Sequence, residues 1–186
     1  MPRRLLGLIF GAFLALPLAA NAAMWNFAGA LNADQETHPL VLPSPYVGGG
    51  ILIASLNDVS GAFVLDVLFS GLTGPVAAGH IHGPALPGVA AGILVDLGLP
   101  TVFVPGIFAY HFALGLDAAA IAMLTTGGTA GVGTPTPLYV NIHTPSNTAG
   151  EIRGQLFVTA SPIPVPPAVW LMGSAVLGLL SVRRRV

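Results

Sequence analysis

The chain has 186 residues, enough for one ordinary domain plus its ends, and it is 54% hydrophobic against only 7% charged. Five of its six basic residues sit at the two ends (Arg3, Arg4, Arg183, Arg184 and Arg185), leaving Arg153 alone against all seven acids, a formal interior charge of −6. A nucleic-acid binder needs clustered Lys and Arg to displace counterions from phosphates, so nucleic acid is excluded as a partner; the lack of cysteine excludes disulfides, thiolate nucleophiles and Cys-ligated zinc.

The first 22 residues, ending "LPLAANA", have the layout of a secretory signal peptide. Arg3 and Arg4 form a positive start, Leu5 to Leu18 an apolar run, and Ala20-Asn21-Ala22 the small-x-small site that signal peptidase accepts. Cleavage after Ala22 or Ala23 and export are expected, with a folded domain over residues 24–160.

Within that domain "MWNFAGALN" alternates Trp25, Phe27, Gly29 and Leu31, the period of a half-buried strand. "VGGGILIASLN" and "GAFVLDVLFSGL" predict two more, joined as a hairpin through Asn57-Asp58 and Ser60-Gly61. "VAAGHIHG", "AGILVDLG", "PLYVNIHT" and "EIRGQLFVTA" are further strand candidates, short, rich in Val, Ile and Phe, and bounded by Gly, Pro, Asn or Thr. "LDAAAIAMLTTGG" predicts the one helix, with Asp117 as N-cap and Gly127 as stop, plugging an end or edge of the sheets. Loops are expected over Asp34–Tyr46 and Thr125–Pro137. Seven or eight short strands predict an all-β, antiparallel sandwich or barrel. No Walker, GxGxxG, GxSxG or HExxH motif is present.

After residue 160 come a proline-rich linker (Pro162, Pro164, Pro166, Pro167), an uncharged run from Ala168 to Val182, and the three terminal arginines. Those fifteen apolar residues would reach roughly 22 Å as a helix against a hydrocarbon core of about 30 Å, a marginal transmembrane span. Arginines beyond it should stay cytoplasmic and leave the domain outside. Pro164-Val165-Pro166, the Trp170–Leu180 run and Arg183–Arg185 together resemble a PEP-CTERM sorting signal, with Val165 in place of the usual Glu as in VPxP variants. The resemblance implies a Gram-negative bacterium that makes exopolysaccharide, an exosortase-type membrane enzyme as processing partner, and delivery to the cell surface or extracellular matrix.

The chemistry-bearing residues fall on three of the strand candidates. Strand side chains alternate faces, so His80 and His82 share one face, Tyr139, Asn141 and His143 another, and Glu151, Arg153 and Gln155 a third. Residues 139–143 and 151–155 are close enough to pair as a hairpin; if the His80 strand joins them, all these groups converge. "AAGHIHGP", "LYVNIHT" and "GEIRGQL", in that order, resemble the chordin-type CHRD domain. The resemblance covers most of residues 24–159 and implies an immunoglobulin-like β-sandwich often compared with Cu/Zn superoxide dismutase, flanked here by signal and tail helices. It implies no settled activity.

Two readings of the histidines stand open. In one, His80, His82 and His143 are ligands for Zn or Cu, since imidazole suits both, with His111 as a fourth ligand and Glu151 or Asn141 orienting a ring. In the other, the histidines bond to Glu151, Tyr139 and backbone carbonyls, while Arg153 pairs with Glu151 in a buried polar network. His38, Asp34 and Glu36 read as solvated loop residues. The functional expectation is a non-catalytic module that binds or scaffolds at the cell surface, with extracellular polysaccharide or protein as partner; the alternative is a metal-binding or superoxide-dismutase-like protein.

Overall fold

A computed structural model describes residues 22–100, 106–128 and 131–165. Residues 1–21, most of the segment read as a signal peptide, and the apolar tail with its arginines lie outside these residues. Among the described residues no helix is long and apolar enough to cross a membrane. Residues Ala23–Ile163 form one compact unit.

There are eight strands: β1 (Ala22–Asn32), β2 (Gly49–Asn57), β3 (Ala62–Ser70), β4 (Ala78–His82), β5 (Ile93–Asp96), β6 (Ile107–Gly115), β7 (Pro135–Thr144) and β8 (Asn147–Val165). Helix α1 (Ala118–Gly128) lies between β6 and β7 and packs on β7 through a fully buried Leu124. Asp117 accepts a hydrogen bond from the Ala120 amide at 2.8 Å, the N-cap read from the sequence.

The strands join in a single antiparallel sheet, ordered β5-β4-β7-β8-β1-β2-β3-β6, that curls into a half-barrel. The antiparallel β class expected from the sequence is there, as one continuous curled sheet with one short helix. Two strands differ from the sequence reading. β6 was not among the strand candidates, although it alternates half-buried Phe108, Tyr110, Phe112 and Leu114 with exposed residues along its whole length. β8 runs on to Val165, into the segment read as a linker.

The inside of the curl is apolar. Phe27 and Leu31 from β1, Leu52 and Leu56 from β2, Phe63 to Phe69 at every second residue of β3, and Ile142 and Ile152 from β7 and β8 meet there with exposures of 2% or less. Each comes from the alternate positions of its strand, so the period-2 pattern alone selects the inward set. Full burial of a Phe or Leu side chain contributes about 1.5–3 kcal/mol. The β2–β3 hairpin closes where Asn57 Oδ1 accepts from the Val59 and Ser60 amides and Gly61 turns with φ +71°. Its Asp58 takes hydrogen bonds from the Ala23 amide and the Trp25 indole, anchoring the start of β1.

The outer strands β2, β3 and β6 show one face to solvent. The central strands do not: Leu138 to Thr144 of β7 and Gly150 to Leu156 of β8 are buried on both faces. Their second face is covered by two loops, residues 33–47 and 83–92, whose backbone and side-chain groups bond to it. That covered face is the polar one.

Candidate functional site

Register explains why the polar residues meet. β4 lies antiparallel on β7 with His82 opposite Tyr139, His80 opposite Asn141 and Ala78 opposite His143. β7 lies on β8 with Tyr139 opposite Gln155 and Asn141 opposite Arg153. His143 is therefore a diagonal neighbour of His80, within reach of an imidazole ring. The His80 Nδ1 and His143 Nε2 atoms are 2.9 Å apart. One ring nitrogen from each of His80, His82 and His143 lies within 4.8 Å of the other two, so these three residues can hold a metal ion.

The rings are held from behind. His82 Nδ1 is 3.0 Å from the Ala91 carbonyl oxygen, and His143 Nδ1 is 3.0 Å from that of Thr148. A carbonyl only accepts, so each Nδ1 carries the proton and each Nε2 presents a lone pair. Burial holds both rings below the ordinary histidine range, His143 at about 4, which keeps them neutral at pH 7. His82 stacks on Tyr139 with centroids 5.0 Å apart and planes within 6° of parallel. The Arg153 guanidinium lies 3.5 Å from the centroid of the same Tyr139 ring. The Tyr139 hydroxyl accepts from the Ala91 amide at 3.0 Å, fixing the loop residue whose carbonyl fixes His82.

Glu151 and Arg153 do not pair with each other. Two residues apart on one strand face, they turn to different loops. Glu151 accepts from the Tyr46 hydroxyl, the Thr73 amide and hydroxyl, the Thr144 hydroxyl and the Asn147 amide group. Burial pushes its carboxyl up, but these hydrogen bonds together outweigh burial and hold it below its ordinary value. None of the three clustered histidines bonds to it. Arg153 donates to the Val89 and Leu86 carbonyls and to Gln155 Oε1, and no carboxylate among the described residues is within ion-pair distance of it. Gln155 Nε2 donates to the Ala85 and Thr136 carbonyls, and Asn141 Nδ2 to that of Ala149.

His111 is not brought to the cluster. It sits on the edge strand β6, 65% exposed, paired with Asp66 at 2.7 Å. Two residues read as solvated are part of the covered layer. His38 Nε2 lies 3.0 Å from the Gly150 carbonyl oxygen, and the Glu36 side chain is only 3% exposed. Burial raises the Glu36 carboxyl to about 7, with the Arg153 charge and the Asn141 amide offsetting part of the effect. Sequence reasoning also missed Tyr46, Thr73 and Asn147; only Asn147, in the tight β7–β8 turn, carried a local signal.

Four buried atoms of this layer have no hydrogen-bond partner among the described residues: His82 Nε2, Asn141 Oδ1, Glu36 Oε1 and Arg153 Nε. Such groups are rare, and each costs about 1–3 kcal/mol when left unpaired. The model of the CHRD domain matches residues 27–156, a span that contains every one of these groups. The chain belongs to the CHRD domain family. No curated protein and no solved structure matches it. The CHRD domain thus brings three imidazoles together in a loop-covered polar layer, a donor set for a cation, with His82 and His143 each held through Nδ1 by a main-chain carbonyl.

Proposed function

We propose that this CHRD domain protein is exported, sorted to the cell surface, and acts there as a non-catalytic binding or scaffolding module in the envelope or exopolysaccharide matrix of a Gram-negative bacterium. The observation that carries the non-catalytic reading is how the polar residues are engaged. Glu151 is saturated by five donors, and Arg153 and Gln155 are tied to loop carbonyls. Groups so employed hold loops in place and have no free proton-transfer role. One apolar interior shared by strands from both halves of the sheet supports taking the curl as an immunoglobulin-like sandwich. The signal-like start and the arginine-tipped tail support the address.

The test compares the full chain with one lacking residues 166–186, a deletion that spares β8, in an exopolysaccharide-forming Gram-negative host. The full chain is expected at the surface or in the matrix and the shortened one in a different fraction. The same fraction for both overturns the sorting reading. Retention of the purified protein on extracted exopolysaccharide, compared with a dextran control, checks the binding role.

A further inference from the structure

The histidine cluster goes beyond what scaffolding requires. A hydrogen-bonded polar layer serves a scaffold best when every lone pair is met by a donor. Here two buried acceptors, His82 Nε2 and Asn141 Oδ1, are unpartnered among the described residues. At the histidine end this unmet His82 lone pair adjoins His80 and His143, whose Nδ1 and Nε2 share one proton. His143 Nε2 faces His80 Nδ1 at 2.9 Å, and His82 completes a triangle no wider than 4.8 Å.

We propose that His80, His82 and His143 form a three-histidine site for a borderline divalent transition metal, Zn(II) or Cu(II), bound through Nε2 of His82, Nε2 of His143 and Nδ1 of His80. Metal–nitrogen bonds of about 2.0–2.1 Å in a tetrahedron set neighbouring nitrogens roughly 3.3 Å apart. The close pair at 2.9 Å and a widest separation of at most 4.8 Å bracket that value, so ring rotations suffice and no backbone shift is needed. The Nδ1–H bonds of His82 and His143 to main-chain carbonyls are the supports that metal-bound imidazoles use to fix ring orientation and tautomer. His80 is the adaptable member. Half-buried, it now gives its Nδ1 proton to His143; on metal binding that proton moves to its Nε2, with no net change in charge. Three imidazoles without a carboxylate select against Ca(II) and Mg(II), which require oxygen ligands. Three protein ligands leave a fourth position for water or an exogenous group. Tyr139 is a positioning residue: it touches no metal but holds the Ala91 segment whose carbonyl orients His82.

The experiment uses the full chain, purified in mild detergent, stripped with chelator and titrated separately with Zn(II), Cu(II), Ca(II) and Mg(II) salts by calorimetry. The proposal requires one equivalent of Zn(II) or Cu(II) per chain and no uptake of the other two ions. For Cu(II), the electron-paramagnetic-resonance spectrum should show coupling to three nitrogens. His82→Ala and His80→Ala should each weaken binding at least 100-fold, Tyr139→Phe by 10- to 100-fold, and His111→Ala not at all. Circular dichroism confirms folding of each variant; if His82→Ala fails to fold, the half-buried His80→Ala variant decides. Absence of stoichiometric binding overturns the proposal. So does undiminished affinity in a folded His80→Ala or His82→Ala variant, or loss of binding in His111→Ala.

Discussion

Glu151 shows how much one buried carboxylate can organise. Its five donors come from four residues, Tyr46, Thr73, Thr144 and Asn147, which tie the loop before β2, the β3–β4 connection and the β7–β8 turn to β8. Glu151→Ala leaves those donors facing an apolar void and should destabilise the protein by about 3–5 kcal/mol, read as a lower urea midpoint. A loss below about 1 kcal/mol would show that the donors find water instead. Glu36 behaves oppositely. Its carboxyl, raised from 4.5 to about 7, binds its proton more tightly in the folded than in the unfolded chain. Ionising it therefore costs stability: nothing below pH 4.5, progressively more as pH rises, and the full amount above 7. Glu36→Gln removes the titration, so its stability relative to the parent should climb by on the order of 2 kcal/mol between pH 4.5 and 7.5. Urea melts at several pH values check this, and a flat difference would contradict it. At this scale the sequence was only half legible. Alternation put the right residues on one face, but the partners of Glu151 and Arg153 come from loops up to 105 residues away, and strand spacing carries no information about them.

Strands whose inward residues alternate cleanly were readable because water makes the choice: β1, β2 and β3 follow their apolar period, and the β7–β8 hairpin follows from its short turn. β6 carries an equally clear alternation, but its inward residues are only half-buried, as befits an edge strand. The pairing of β1 with β8, the two termini of the domain, has no local signal; it shows in the glycines. A Cβ on Gly29 of β1 would collide with the Gln155 carbonyl of β8, a backbone atom that cannot move aside cheaply. Gly29→Ala should cost roughly 1–3 kcal/mol. Gly115→Ala, at the open end of edge strand β6 with nothing within 4 Å of the added carbon, should change stability by less than about 0.5 kcal/mol. Equal effects in thermal melts of the two variants would mean that β1 and β8 do not approach this closely.

For the molecule as a whole, one curled sheet has two different faces. The inward face is apolar throughout, and it secures the fold. The outward face is divided: exposed over β2, β3 and β6, but loop-covered and polar over β4, β7 and β8. Composition and periodicity disclosed the β class and the convergence of three histidine-bearing positions. They could not disclose that the strands close into one sheet, because a strand buried on both faces reads the same inside a sandwich or a barrel. Nor could they disclose the loop cover, which turns a polar surface stripe into an interior layer. That cover fixes the His82 tautomer through Ala91, and the β7–β8 hairpin fixes the His143 tautomer through Thr148. Nitrogen NMR of the imidazole rings in the metal-free protein at pH 7 tests this central claim most directly. The prediction is that His82 and His143 both carry their proton on Nδ1, and that His143 stays uncharged from pH 7.5 to 6. Either ring protonated on Nε2, or His143 titrating near 6.5 as an exposed histidine does, would contradict the account.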